Sequence, residues 1–175
     1  MTDITMTAGQ QRLRCGGYEA DGYLISDPMS LQPEWIDFNG HLNMAFYSVL
    51  FDLGCTFAFD RLGLGADFRK GSGMTSMTAD FRIRYIRELM PEDRVQATFR
   101  VIDVGPKSFH FVQELRHVDG WLSATAENIN LSVDAAARRV APYPPDRLEA
   151  LTAMQADHDR FPRPDWVSAA FGVRK

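Results

Sequence analysis

The stretch Glu34-Trp-Ile-Asp37-Phe-Asn39-Gly-His41-Leu-Asn43-Met-Ala-Phe-Tyr47 leads directly into an apolar run that reaches Leu62. Within that run Leu42, Ala45, Phe46, Val49, Leu53 and Phe57 recur at helical spacing, while Asn43, Asp52, Thr56 and Asp60 take other directions. The spacing predicts a helix over 42–62, about 31 Å long at a rise of about 1.5 Å per residue. Gly63-Leu-Gly65 supplies the stop. A carboxylate, an amide and an imidazole grouped around Gly40 at a helix entrance can act as acid or base, orienting group and backbone donor. The expected chemistry therefore sits at the start of the longest helix.

Downstream the period changes to two. Phe81, Ile83 and Tyr85 alternate with Arg82 and Arg84, and Val95, Ala97, Phe99 and Val101 alternate with Gln96, Thr98 and Arg100. These patterns predict half-buried strands, divided by the turn Pro91-Glu-Asp93 and closed by Gly105-Pro106. Phe109 and Phe111 open a further strand, Asp119-Gly120 marks a hairpin, and the return strand runs from Trp121 to about Val133. Sequential strands joined by short turns should be antiparallel, with the helix covering one face. An edge strand is expected within 23–31, weakened by Pro28 and Pro33. Pro144-Pro145 predicts the start of a short amphipathic helix to about Asp157, and Trp166 and Phe171 mark a tail that docks on the domain or moves freely.

The 175 residues suit one domain, with a core over about 20–135 and a C-terminal helix and tail over 144–175. A formal net charge of -4 removes the electrostatic reason to expect nucleic acid as a partner. Cys15 and Cys55 have no metal-ligand or Cys-x-x-Cys spacing, which points to two reduced thiols in a cytoplasmic protein. The opening Met-Thr-Asp-Ile-Thr-Met lacks the basic patch and apolar core of a secretory signal, and no stretch approaches the roughly 20 apolar residues of a membrane span. Serine-hydrolase elbows, His-Glu-x-x-His and dinucleotide-binding glycine loops are absent from the sequence.

A strand, a long helix and then four antiparallel strand segments is the element order of the hotdog fold, an α+β architecture in which a sheet wraps one long helix. Asp37-Phe-Asn39-Gly-His41-Leu-Asn43-Met-Ala-Phe-Tyr47 resembles the Asp-x-x-Gly-His-x-Asn-Asn-x-x-Tyr segment of acyl-CoA thioesterases of the 4-hydroxybenzoyl-CoA thioesterase type. It is also similar to the Asp-x-Asn-x-His pattern of plant acyl-carrier-protein thioesterases. The wording from Pro33 to Asn43 is similar to thioesterases of carnitine and betaine breakdown. The resemblance implies hydrolysis of a short or polar acyl-CoA to free acid and CoA. It implies no metal and no separate cofactor, coenzyme A entering as part of the substrate. It further implies a homodimer or dimer of dimers with the site between subunits. Asp37 would be the base or nucleophile, assisted by Asn39 and His41, with backbone N–H groups near Gly40, Asn43 and Met44 receiving the oxyanion. Lys107, in a Lys-Ser-Phe that resembles a CoA-phosphate grip, and Tyr47 would bind substrate.

Each residue also has a bland reading. Asp37 suits a turn, Asn39 and Asn43 suit caps, and His41 suits a structural hydrogen bond. Trp35 and Phe38 are expected to surround Asp37 with apolar groups. Asp52 reads as facing a subunit boundary or sheet edge. Arg82, Arg84 and Arg87 read as a solvated strand face, with contact to the CoA phosphates as the sharper alternative, and His110, His117 and His158 as structural. A dehydratase or hydratase of the same fold and a non-catalytic acyl-thioester binder are the alternative functions.

Overall fold

The structure, a computed structural model, describes residues 22–170 and 172–173. Cys15 and Phe171 lie outside the described residues. Helix α1 spans Met44–Arg61, two residues later than the spacing predicts. The delay has a backbone cause: Leu42 bridges Ile36 and gives its N–H to the Leu89 carbonyl at 2.8 Å. Asn43 then caps the helix, its side chain accepting from the Ala45 N–H. At the other end Leu64 N–H reaches the Phe59 carbonyl and Gly63 N–H the Asp60 carbonyl, with Gly63 at φ +65. This is the Schellman closure, and it makes glycine at position 63 a conformational requirement.

The stripe that α1 lays on the sheet differs from the one read by spacing. Tyr47, Leu50, Phe51, Gly54, Cys55 and Ala58 are buried, whereas Ala45, Val49 and Leu53 are exposed. A helix apolar on nearly every side does not declare its inner face by period. Packing decides it at Gly54, where a Cβ would lie 2.2 Å from the Ala97 Cβ. Glycine within a helix costs about 1 kcal/mol relative to alanine, and here it lets α1 approach the sheet.

The other elements follow in chain order. β1 is Leu24–Ile25, β2 Met29–Ser30, α2 Ala66–Ser72, β3 Met74–Tyr85 and β4 Arg94–Val104. β5 is Ser108–His117, β6 Leu122–Asp134, β7 Arg139–Val140 and α3 Pro145–His158. The sheet order is β1-β4-β5-β6-β3, with β2 also on β4 and β7 on β6, and every pairing is antiparallel. Two expectations are corrected. The early edge strand is two short pieces on β4, parted at Pro28. The Pro91 turn forms, with Asp93 N–H on the Met90 carbonyl, but it does not make β3 and β4 neighbours. β3 pairs with β6, and residues 86–93 carry the chain across to β4. β3 also starts seven residues before Phe81, at Met74, because the bulge between Thr78 and Asp80 breaks the alternation.

On the helix side, Phe99, Val101, Phe109 and Phe111 pack with Cys55, Ala58 and Leu62. Val95, Ala97, Leu115, Ala124 and Ala126 pack with Tyr47, Leu50 and Phe51. The other side of the sheet is polar yet buried, because the tail docks over it. Arg100 donates to the carbonyls of His158, Phe161 and Pro162, Trp166 Nε1 donates to Glu114, and Ser168 N–H donates to Glu127. Glu114 also takes Arg116 and the Tyr23 hydroxyl. Buried charge in such a layer is tolerated because it is paired and hydrogen-bonded.

Two buried imidazoles anchor this layer, and burial pushes both His110 and His158 down to about 4. His158 Nδ1 accepts the Val101 N–H at 3.1 Å, which requires that nitrogen to be unprotonated. The unfolded chain binds these protons near pH 6.5, so their contribution to stability is complete above that value and is lost as pH falls toward 4. The loss reaches up to about 3 kcal/mol per histidine. Urea midpoints measured between pH 7 and 4.5 should fall, and His158→Asn, which still offers an acceptor but does not titrate, should remove about half of the histidine share of that fall.

Candidate active site at the entrance of the long helix

Residues 36–42 fold into a tight loop whose backbone closes on itself. Asp37 N–H donates to the His41 carbonyl at 3.0 Å, and Gly40 N–H returns to the Asp37 carbonyl at 3.0 Å. Gly40 sits at φ +83, and a Cβ there would meet nothing within 4 Å. The loop thus needs glycine for its turn and leaves open space beside it. Asp37 is half-buried, and its Oδ1 accepts the Asn39 N–H at 2.8 Å. The turn reading of Asp37 is therefore realised by one oxygen, while Oδ2 takes no hydrogen bond from any described residue.

The loop sorts the backbone donors. The N–H groups of Gly40 and Asn43 are committed, to the carbonyls of Asp37 and Trp35, and those of Ala45 and Phe46 go to Asn43. His41 and Met44 keep N–H groups with no acceptor among the described residues. Among the expected oxyanion donors, Gly40 and Asn43 are thus corrected to turn and cap roles, and Met44 remains together with His41. The His41 ring places Nδ1 3.3 Å from the Leu42 carbonyl, toward which it can act only as a donor.

Asp37, His41, Met44 and Tyr47 line one cavity of about 390 Å³, whose far wall is Tyr85, Ile86, Arg87 and Glu88. Asn39 is exposed and outside that lining. The apolar surround expected of Phe38 does not form, since its ring is 97% exposed; Trp35 instead stacks on Phe46 at 5.5 Å. Tyr47 is buried, edge-on to Tyr85 at 5.0 Å, with its hydroxyl near Ser123 and Leu89. It braces the wall as well as facing the cavity.

In that wall Tyr85 closes β3 while Ile86, Arg87 and Glu88 open the crossover, and Ile86 and Glu88 are the members that sequence reading did not single out. The segment is held rigidly: Ser123 accepts the N–H groups of Ile86 and Arg87 at its carbonyl and donates its hydroxyl to the Arg87 carbonyl at 2.7 Å. Arg87 lies 4.0 Å over the Trp121 ring, which stacks in turn on His117. Lys107 is not brought to the cavity within one chain. It lies beside the start of β5, whereas the cavity lies level with Leu115, roughly 25 Å along that strand. Among the described residues no group of His, Cys, Asp or Glu has a metal-holding arrangement, and no helix is long and apolar enough to cross a membrane. Cys55 is a buried free thiol that burial pushes up to about 12.

Comparison with known proteins bears on this geometry. The betainyl-CoA thioesterase of Pseudomonas aeruginosa is 28% identical over 142 residues, which cover 81% of this chain and 89% of that protein. The L-carnitine dehydrogenase/betainyl-CoA thioesterase of Agrobacterium fabrum is 28% identical over 161 residues, which cover 92% of this chain and 32% of that longer protein. A Staphylococcus aureus protein solved in complex with CoA superposes with a TM-score of 0.71 at 24% identity, over 84% of this chain and 90% of that one. The DHNA-CoA thioesterase of the same organism gives 0.72 at 18% identity, over 79% of this chain and 94% of that one. The structural likenesses establish the hotdog fold, and the sequence likeness is broad: a family model matches residues 31–151, and the chain belongs to the thioesterase-like superfamily.

Proposed function

We propose that this chain hydrolyses an acyl-CoA thioester to the free acid and CoA, with Asp37 as the base or nucleophile. The observation that carries the assignment is one cavity lined by a half-buried carboxylate with an unengaged oxygen and by two residues whose helix-entrance N–H groups are uncommitted. Attack on a thioester carbonyl places negative charge on its oxygen, and N–H groups at the positive end of a helix stabilise that charge. His41 and Met44 supply them in this reading. Asp37 then either takes a proton from the attacking water or attacks the carbonyl itself. The names of the P. aeruginosa and A. fabrum relatives support a CoA ester as substrate. A cytoplasmic setting fits a chain whose described cysteine is a free thiol.

The reading includes a homodimer. β3 is a twelve-residue strand at the edge of the sheet, with Met77 52% exposed on it and Leu53 53% exposed on the adjacent outer side of α1. Long unpaired edges and apolar patches of this kind call for cover, and a two-fold pairing of β3 with itself gives closure. Such a pairing is antiparallel, so it sets the Met74 end of one copy beside the Tyr85 end of the other. The Lys107 turn lies at the Met74 end, since Lys107 holds Ser132 and Leu131 pairs with Met77. A lysine 25 Å away in its own subunit, by the rise of β5, then serves the CoA phosphates of its neighbour.

Three outcomes are expected. Asp37→Asn should lower kcat by about 10²-fold or more while leaving the Kd for a CoA ester near that of wild type; unchanged turnover would remove Asp37 from the mechanism. Met44→Pro deletes one N–H at the first helical position, where proline is tolerated and where Asn43, at ψ 140, already has the backbone that precedes a proline. It should cost about 10²-fold in kcat with little change in melting temperature. Sedimentation should give twice the chain mass, and Leu53→Glu should shift the protein toward monomer; a monomeric wild type would refute the shared interface.

A further inference from the structure

The groove between α1 and β3 holds two cavities, and two aromatic pairs stand between them. α1 and β3 run in opposite senses along the groove, so Tyr47 meets Tyr85 edge-on at 5.0 Å and, one helical turn on, Phe51 meets Phe81 edge-on at 6.1 Å. On one side of these pairs lies the catalytic cavity of about 390 Å³, which reaches Met44, Tyr47 and Tyr85. On the other lies a larger cavity of about 550 Å³, which begins at Ser48, Phe51 and Phe81 and continues to Arg69. Among the described residues none lines both.

Tyr85 is the member that spans the groove. Its ring packs on Tyr47 and its hydroxyl donates to the Met44 carbonyl at 3.3 Å, so a β3 side chain is held against the first turn of the helix. Beneath it the sheet offers no second obstruction, because the β6 residues opposite Tyr85 and Ile83 are Ala124 and Ala126. Truncating Tyr85 therefore opens the catalytic cavity toward Phe81 and exposes no other large side chain in its place. With Tyr85 46% exposed, the change also takes little from the core.

We infer that Tyr85 sets the length of the acyl group, stopping the chain at the end of the catalytic cavity and keeping the larger cavity out of use. Met44, whose N–H receives the carbonyl oxygen in the hydrolysis reading, stands three residues before Tyr47 on α1. That separation is about 4.5 Å along the axis, or about three carbon–carbon bonds of 1.5 Å, so the preferred acyl groups have about four carbons or fewer. The inference rests on thioester hydrolysis at Asp37 and adds to it the residue that selects the acyl chain.

The test is kcat/KM for acetyl-, butyryl- and octanoyl-CoA on wild type, Tyr85→Ala, Tyr85→Phe and Phe81→Ala. A methylene without space in a pocket costs about tenfold or more, so octanoyl-CoA should fall at least about a hundredfold below butyryl-CoA in wild type. Tyr85→Ala should raise the octanoyl to butyryl ratio by at least about tenfold. Tyr85→Phe keeps the ring and should keep the wild-type ratio, as should Phe81→Ala, in which Tyr85 still closes the groove. Comparable wild-type values for butyryl- and octanoyl-CoA would overturn the inference without any variant and leave hydrolysis standing. So would a Tyr85→Ala protein that loses all three esters in equal proportion, or a Phe81→Ala protein that raises the ratio as far as Tyr85→Ala does. Release of CoA from none of the three by wild type would overturn the hydrolysis reading as well. Where Tyr85→Ala does not fold, Tyr85→Val, suited to a strand end, carries the same expectation.

Discussion

The hydrogen bond from Leu42 N–H to the Leu89 carbonyl joins the two segments on which the site depends. One segment is the loop that carries Asp37 and His41, and the other is the crossover from β3 to β4. Tying them together fixes the wall of the cavity against its floor, and it also determines where α1 begins. Because Leu42 N–H is committed to Leu89, Asn43 becomes the cap and Met44 the first helical residue, so a residue whose N–H has no acceptor among the described residues lines the same cavity as the carboxylate. Ser123 and Tyr47 reinforce the crossover from β6 and α1, using a serine hydroxyl and a buried phenol. Geometry of this kind costs little at the moment of reaction because folding has already set it.

Much of this was legible beforehand, and the parts that were not have physical reasons. The loop from Asp37 to Asn43 announces itself because turn chemistry and helix capping are local, requiring only residues a few positions apart. The glycine stop and the Asp119-Gly120 hairpin are local for the same reason. The partner of β3 is not. Alternation shows which side of a strand is buried but carries no record of its neighbour, so a turn at Pro91 suggested a hairpin where a crossover exists. The buried side of α1 was misread because Ala45, Val49 and Leu53 are as apolar as Leu50, Phe51 and Ala58. That residues 86–88 form part of the cavity wall was not legible, because it depends on that same crossover.

The two sides of the sheet illustrate a different limit of pattern reading. Strand alternation normally means apolar inside and polar in water. Here the polar side of β4, β5 and β6 is roofed by residues 158–168, so Arg100, Glu114 and Glu127 are buried and paired. Arginine suits this because its fork reaches three carbonyls at once, which a lysine could not span in the same plane.

That roof has a consequence for how the molecule comes into being. Residues 158–168 leave the ribosome after every strand of the sheet, so helix and sheet can associate while Arg100, Glu114 and Glu127 still face solvent. The carbonyls that Arg100 takes, and the Trp166 and Ser168 donors that reach Glu114 and Glu127, are the last of their partners to be synthesised. Closing the roof therefore completes a set of partners that the strands by themselves supply only in part.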